Sequence, residues 1–300
     1  MLSGKVDNYL ARVGAGRSRN SVLGAMATRS VPTPAGHVRL YDSGSTKPCV
    51  ILVPDGPNVI EHYKGLLDDL SLRYRVVCFD MPGFGHSLPA ETYGHSLDEG
   101  ASVVLAVLDA LNVDRATLSF SCANGFYALR VAQLAPRRVD ALVLSQTPSL
   151  AAMQAWSKRV IPRALHIPVV GQTAGWLLRR QAAGRWYRIA LPAGRDTSSM
   201  QIPAMAALAD GGCFCLAGVV RGLGREKEDS LRGIVVPCVM AWGVLDRSHK
   251  FTHRDSLKLL LPHACVVEFA RSGHLPDLEE PHRFAALVDD AVSAASAARA

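Results

Sequence analysis

Three residues whose side chains could together carry acyl chemistry stand at the ends of apolar segments. Cys122 directly follows the run ATLSFS, Asp246 comes just beyond IVVPCVMAWG, and His274 lies in the loop after ACVVEFA. A thiol that an imidazole deprotonates attacks acyl carbons, and an acid just beyond a strand end can orient that imidazole. If the fold brings the three together, they supply a nucleophile, a base and an orienting acid.

The elements that must position these residues alternate along the chain. Buried strands are predicted at CVILVP, YRVVCFD, ATLSFS, VDALVLS, IVVPCVMAWG and ACVVEFA, with helices at about 59–72, 97–112, 123–135, 250–261 and 280–298. Such alternation is typical of an α/β protein, a mostly parallel sheet with helices on both faces. It stops between 149 and 232, where short helices are predicted. We therefore predict a core of residues 1–148 and 233–300 and a helical cap of residues 149–232, inserted late in the sheet.

The turn DMPGFGHS, Asp80 to Ser87, resembles the D-x-P-G-x-G-x-S turn of the α/β-hydrolase superfamily. Five segments in the family's order carry the resemblance over roughly residues 36–298. It implies the α/β-hydrolase fold, with a nucleophile on a sharp strand-to-helix turn and an acid and a histidine following in that order. VPCVMAWGVLDR and FARSGHLPDLEEP are similar to the segments that carry the family's acid and histidine. They imply Asp246 as the acid and His274 as the base.

The nucleophile can be read in two frames. DRATLSFSCANGFYA matches the family's strand, turn and helix without a gap when Cys122 is the nucleophile. Phe120 and Asn124 then stand where the family has glycines. Ser121 has the smaller neighbours Ser119 and Ala123, but choosing it shifts strand and helix by one residue. Cys122 is favoured, Ser121 is the alternative, and a turn without a nucleophile is a third.

Hydrolysis or transfer of an acyl group needs two backbone N–H groups aimed at the developing oxyanion. The resemblance implies Ala123, directly after the nucleophile, as one donor. The other normally follows a His-Gly pair, which VPDGPN replaces with Pro54 and Asp55. We assign the second donor to Gly56. A carboxylate at Asp55 would oppose an oxyanion unless it points away.

Composition excludes several classes. The chain of 300 residues is 49% hydrophobic and 20% charged, as in soluble globular proteins, and no apolar run reaches the length of a membrane helix. The first thirty residues have no continuous apolar segment around Arg12, Arg17, Arg19 and Arg29, so no secretory signal is predicted. Seven cysteines, an odd number, predict free buried thiols. We expect a cytoplasmic protein without membrane or nucleic-acid partners.

Two histidines at helical spacing, His249 and His253, could suit a metal. No helix-borne acid completes the set, so we predict that both lie at the surface. We therefore expect no metal site and no cofactor.

Positive charge is concentrated in the predicted cap. Residues 149–232 hold 12 Lys/Arg and 5 Asp/Glu, a net charge of +7, while the remainder has 21 of each. Arginines cluster at Arg179, Arg180, Arg185 and Arg188 around Trp186. Such a surface could attract an acidic partner, or it could be a solvated helical face.

A cysteine nucleophile favours exchange between thiols, because a thioester-linked enzyme keeps the acyl group activated. Together with the family architecture, it resembles the Cys-His-Asp aminoacyltransferases of nonribosomal peptide pathways. The resemblance implies acyl or aminoacyl transfer between phosphopantetheine arms of acyl or peptidyl carrier proteins, which the basic cap would suit. A hydrolase (thioesterase, esterase or lactonase) with the same triad acting on a small acyl thioester or ester is the alternative. A noncatalytic binding protein is the second alternative.

Overall fold

A nine-stranded, mostly parallel sheet runs through the computed structural model, which describes residues 2–16 and 26–298. The strands of the molecule are β1 (Thr28–Thr33), β2 (Gly36–Asp42), β3 (Cys49–Val53), β4 (Arg75–Phe79), β5 (Phe84–Gly85), β6 (Leu88–Pro89), β7 (Ala116–Ser121), β8 (Val139–Ser145), β9 (Cys213–Phe214), β10 (Cys238–Gly243) and β11 (Cys265–Phe269). The large sheet has the order β1-β2-β4-β3-β7-β8-β10-β11, with β6 paired to β2. From β4 to β11 every neighbouring pair is parallel, whereas β1, β2 and β6 join antiparallel.

Helices cover both faces of this sheet. They are α1 (Leu2–Ala15), α2 (Lys64–Ser71), α3 (Leu97–Ala110), α4 (Gly125–Leu134), α5 (Leu150–Val160), α6 (Val170–Leu177), α7 (Arg179–Ala190), α8 (Ser198–Ala209), α9 (Leu216–Arg225), α10 (Pro276–Glu279) and α11 (Pro281–Ala297). Apolar side chains of α3 and α4 pack on one face, and those of α2 and α11 pack on the other. Burying both faces explains why the parallel strands read as continuous apolar runs.

Local sequence signals account for the helix starts near the sheet. Ser96 caps α3: its hydroxyl accepts a bond from the backbone N–H of Glu99, and the Glu99 carboxylate accepts one from the backbone N–H of Ser96. This reciprocal pair satisfies two amide donors that a helix start leaves unpaired. Ser149 caps α5 by accepting a bond from the N–H of Ala152.

Five α-helices, α5 to α9, lie in the segment 149–232 between β8 and β10. A short strand, β9, interrupts them and pairs antiparallel with β5, so the segment is tied to the turn that follows β4. The division at these residues into core and cap stays a prediction, although the segment is helical as expected.

The remaining predictions have mixed outcomes. The seven cysteines are free, and all but Cys265 are buried. Among the described residues, no helix combines the length and the apolarity needed to span a membrane. Arg17 and Arg19, which entered the prediction about secretion, lie outside the described residues.

Candidate active site

The sharpest feature of the site is the turn between β7 and α4. Cys122 is its first residue and has φ = 50°. A residue other than glycine adopts this left-handed conformation only where its surroundings impose it, as in the strained turn that presents a nucleophile. The Thr147 hydroxyl donates to the Cys122 carbonyl at 2.9 Å, and a Cβ at Gly125 would lie 2.2 Å from that hydroxyl. Glycine is therefore required where the helix begins.

The two large neighbours of Cys122 are accommodated on either side of the turn. Phe120 is fully buried and packs edge-on against Phe79, with ring centroids 6.2 Å apart. The Asn124 side chain donates to the carbonyl of Pro54 at 2.6 Å. The asparagine thus fixes the loop after β3 against the turn, and neither side chain blocks Cys122.

Ser121 is committed to a different network. Its hydroxyl donates to Asp277 at 2.6 Å, and the Tyr63 hydroxyl donates to the same carboxylate oxygen at 2.7 Å. Ser121 also keeps extended backbone angles as the last residue of β7. This geometry gives the serine an acid partner and places Cys122, not Ser121, at the left-handed turn position. That Cys122 is the nucleophile stays a prediction.

Asp246 and His274 come together as expected. His274 Nδ1 lies 2.7 Å from Asp246 Oδ2, in the geometry that fixes an imidazole for proton transfer. Asp246 also accepts bonds from the Ser248 hydroxyl at 2.7 Å and from the Gln146 amide at 2.7 Å. Burial alone would raise the pKa of Asp246, but the charge and hydrogen bond of His274 hold it below the usual range. The acid is thus kept ionised in a buried position.

The imidazole of His274 also lies near the sulfur. Cys122 Sγ is within 4.8 Å of a ring nitrogen of His274, and Nε2, the nitrogen not bonded to Asp246, has no hydrogen-bond partner among the described residues. Direct proton transfer requires the two groups to approach to hydrogen-bond distance on substrate binding. Burial opposes the imidazolium, yet Asp246 and Cys122 raise the pKa of His274 well above its ordinary value. The same burial, together with Asp55, raises the pKa of the Cys122 thiol to about 11.

The prediction that His249 lies at the surface is wrong, while His253 is exposed as expected. The His249 ring stacks on Trp156 at 4.9 Å and on His274 at 5.2 Å between centroids. Trp186 closes the other side of His274 at 4.7 Å. Burial lowers the pKa of His249 to about 3, so the His249 ring is uncharged where it packs against His274. Aromatic rings from distant segments bury it, and its neighbours in sequence carry no sign of this.

Asp55 does not point away from the site. Its Oδ2 lies 3.4 Å from His274 Nε2, the nitrogen that is not bonded to Asp246. Burial raises the pKa of Asp55, and the hydrogen bond and charge of His274 partly offset this. A second carboxylate, besides Asp246, therefore lies next to the His274 ring. The sequence pattern alone did not reveal this contact.

An apolar cavity of about 490 Å³ opens above the sulfur. Asp55, Gly56, Cys122 and Ala123 line its floor, and its walls are largely aliphatic and aromatic side chains of α5, α7 and α9. The two residues assigned to the oxyanion hole thus flank Cys122, although their role as donors stays a prediction. The volume suits a small organic molecule or an acyl chain.

The arginines of α7 do not form one continuous surface. Arg185 lines the cavity, and Arg179 stacks on the Trp176 ring at 4.6 Å. Arg180, Arg185 and Arg188 are exposed, whereas Trp186 turns inward toward His274. Nothing in this arrangement tests the expectation of an acidic partner.

Comparison with known proteins identifies the fold. Residues 48–164 match the family model described as alpha/beta hydrolase fold. Epoxide hydrolase A from Mycobacterium thermoresistibile superposes with a TM-score of 0.74 at 17% identity, covering 89% of this chain and 98% of that one. The chain thus has the predicted α/β-hydrolase fold.

The curated relatives are more limited in extent. Zearalenone hydrolase of Bionectria ochroleuca is 38% identical over 105 residues, 33% of this chain and 39% of its own length. A dihydrolipoyllysine-residue acetyltransferase component of the acetoin cleaving system of Pseudomonas putida is 29% identical over 70% of this chain and 54% of its own length. The matched segments therefore span only about two fifths to one half of these relatives. The names of most of these similar proteins are those of hydrolases, whereas one is that of an acetyltransferase component.

Proposed function

Because the chain has the α/β-hydrolase fold, we propose that it is a hydrolase that cleaves an ester, lactone or thioester through an acyl group held on Cys122. One observation carries the proposal. A cysteine in the left-handed turn after β7 faces an apolar cavity and a histidine that Asp246 holds at 2.7 Å. The apolar walls favour an aliphatic or aromatic acyl group over a sugar or a nucleotide.

The first half of the reaction forms the acyl-enzyme. Because Asp246 and Cys122 raise the pKa of His274, the ring first releases its imidazolium proton to solvent. The neutral Nε2 then removes the proton from the Cys122 thiol as Sγ attacks the substrate carbonyl carbon. Because burial and Asp55 raise the pKa of the thiol to about 11, proton removal must accompany attack. The N–H groups of Gly56 and Ala123 are the proposed donors to the tetrahedral oxyanion. Its collapse expels the alcohol or thiol, which takes the proton from His274.

The second half repeats the chemistry with water. His274, again neutral, removes a proton from a water molecule, and the hydroxide attacks the thioester carbonyl. Collapse breaks the C–S bond, releases the carboxylic acid and returns the proton to Cys122. Asp246 stabilises the imidazolium in both halves without taking its proton. A lactone would give a single open-chain product, because its alcohol and acid stay joined.

Acyl transfer between thiols is the second candidate, and the cysteine itself favours it. Transfer of the acyl group from the enzyme thioester to another thiol changes the free energy very little. Transfer to water is strongly downhill and loses the activated acyl group. Exposed Arg180, Arg185 and Arg188 on α7 could also meet the phosphate of a phosphopantetheine arm on a carrier protein.

Intact-protein mass spectrometry with a p-nitrophenyl acyl ester and an acyl thioester tests the nucleophile. We expect one acyl adduct, absent in Cys122→Ala and retained in Ser121→Ala. Adduct formation in Cys122→Ala that Ser121→Ala abolishes would overturn the assignment.

The fate of the acyl group separates the two candidates. The acylated enzyme is divided into buffer alone and buffer with an added thiol, and free acid and new thioester are measured. A hydrolase loses the adduct in buffer alone. An adduct that persists in buffer and disappears only with thiol would overturn hydrolysis in favour of transfer.

A further inference from the structure

A second cluster of reactive side chains lies away from the cavity, where α1 meets the cap. Asp7 of α1, His95 of the loop before α3 and Cys215 just before α9 place one ligand atom each within 4.8 Å of one another. Their exposed fractions are 3%, 1% and 8%. None of the three lines the cavity, so the proposed acyl chemistry does not use them.

The imidazole of this cluster has an unused nitrogen. His95 Nε2 is buried without a hydrogen-bond partner among the described residues. Buried side-chain nitrogens usually have a hydrogen-bond partner, so a buried ring nitrogen without one, next to a carboxyl group and a thiol, calls for an explanation. A metal ion bound at Nε2 would give this nitrogen a partner.

Two glycines leave room around the cluster. A Cβ at Gly218 would lie 2.5 Å from His95 Nε2 and 3.1 Å from Asp7 Oδ2. A Cβ at Gly83 would lie 3.1 Å from Cys215 Sγ. Any larger residue at either position would push the three ligand atoms aside.

We propose that Asp7, His95 and Cys215 bind a zinc ion. Carboxylate, imidazole and thiolate are the ligand types that Zn²⁺ takes in proteins, and thiolate disfavours the harder Mg²⁺ and Ca²⁺. Tetrahedral coordination at the usual bond lengths needs ligand atoms about 3.3 to 3.7 Å apart, so atoms that lie within 4.8 Å of one another need to close in by at most about 1.5 Å. A water molecule would complete the fourth position.

Binding would change the charge of the cluster. Zinc would displace the thiol proton and any proton on the carboxyl group into solvent. The buried site would then hold a dication against two anionic ligands.

Such an ion would join three parts of the chain. It would link α1 to the loop before α3 and to the start of α9. Phe214 and Leu216, which flank Cys215, both line the cavity. Zinc at this site would therefore hold one wall of the cavity in place without touching the substrate.

Zinc content tests the proposal directly. The active site also brings Cys122, His249 and His274 within 4.8 Å of one another, so all proteins carry Cys122→Ala to remove that competing group. They are produced with zinc in the medium, dialysed against a weak chelator and analysed for metal. We expect about one zinc per chain in the parent, and none after His95→Gln or Cys215→Ser.

Cys213→Ser is the matched control, because Cys213 is buried two residues from Cys215 but outside the cluster. It should keep its zinc. Replacing zinc by cobalt(II) in the Cys122→Ala parent should give a thiolate charge-transfer band in the near ultraviolet that the same protein with Cys215→Ser lacks. The band in the parent by itself reports a thiolate ligand. A parent without zinc and without the cobalt band, or zinc that survives both ligand substitutions, would overturn the proposal.

Discussion

Asp55→Asn removes the carboxylate that shares His274 with the thiol and keeps the side chain's size. Two unit charges 3.4 Å apart interact by about 5 kcal/mol at an effective dielectric constant of about 20. A neighbouring charge typically moves a pKa by about 1 to 3 units. Burial raises the pKa of Asp55 and so reduces its average charge, which places the expected effect at the low end of this range. We therefore expect a downward shift of about one unit or more.

The sign follows from the charges. An anion beside the pair stabilises the imidazolium and opposes the thiolate, so it raises the pKa of both groups. Removing this anion lowers the apparent pKa of both proton-loss steps of the coupled pair, whichever group releases its proton first. Asp246, which stays ionised, is unchanged by the substitution.

Alkylation by iodoacetamide measures the shift without knowledge of the substrate. The rate is followed against pH on the peptide that contains Cys122, because only the thiolate reacts. Cys265, the exposed cysteine, serves as an internal standard in the same samples. Asp98→Asn, at an exposed acid, controls for the change in net charge. A Cys122 profile that does not move in Asp55→Asn, or moves equally in Asp98→Asn, would refute the reasoning.

Two further substitutions probe the turn. Ser121→Ala should leave acylation of Cys122 intact but lower the free energy of unfolding by about 1 to 3 kcal/mol, because buried Asp277 loses a hydrogen-bond donor. Urea denaturation measures this change. Equal stability of the two proteins would show that the Ser121–Asp277 bond contributes nothing. Gly125→Ala should lower the free energy of unfolding by more than about 2 kcal/mol in the same assay and slow acylation, because the added Cβ would displace Thr147 from the Cys122 carbonyl. Unchanged stability and acylation would mean that the turn can relax around the methyl group.

The sheet was largely predictable because burial on both faces leaves a clear trace in the sequence. The run VDALVLS corresponds residue for residue to β8, and the amphipathic segment from 97 begins at the start of α3. Helix α1 was not predicted. Its buried face consists of small and polar residues, among them Gly4, Asp7 and Asn8, so it has no apolar periodicity to detect. The segment near 250–261 also differs, since Arg254–Leu259 form a 3₁₀ helix.

The site was predictable to the extent that its residues sit at strand ends. Cys122 and His274 follow directly from the resemblance, and the structure places a ring nitrogen of His274 within 4.8 Å of Cys122 Sγ, although their roles stay predictions. The environment of His274 was not predictable, because Trp156, Trp186 and His249 reach it from segments far apart in sequence. The direction of the Asp55 side chain, toward His274, could not be predicted from the sequence either.

The position of Asp55 bears on how the proposed nucleophile is activated. Reactive cysteines often rest as thiolates, in electropositive surroundings that lower the thiol pKa. Here the sulfur is buried beside a carboxylate, and its pKa is raised to about 11. The resting site therefore favours a neutral thiol, which resists alkylation and oxidation until His274 removes its proton. Asp55 also favours the imidazolium of His274, which lies 3.4 Å away. The same carboxylate therefore opposes both the thiolate and the neutral base, and both must be overcome before attack.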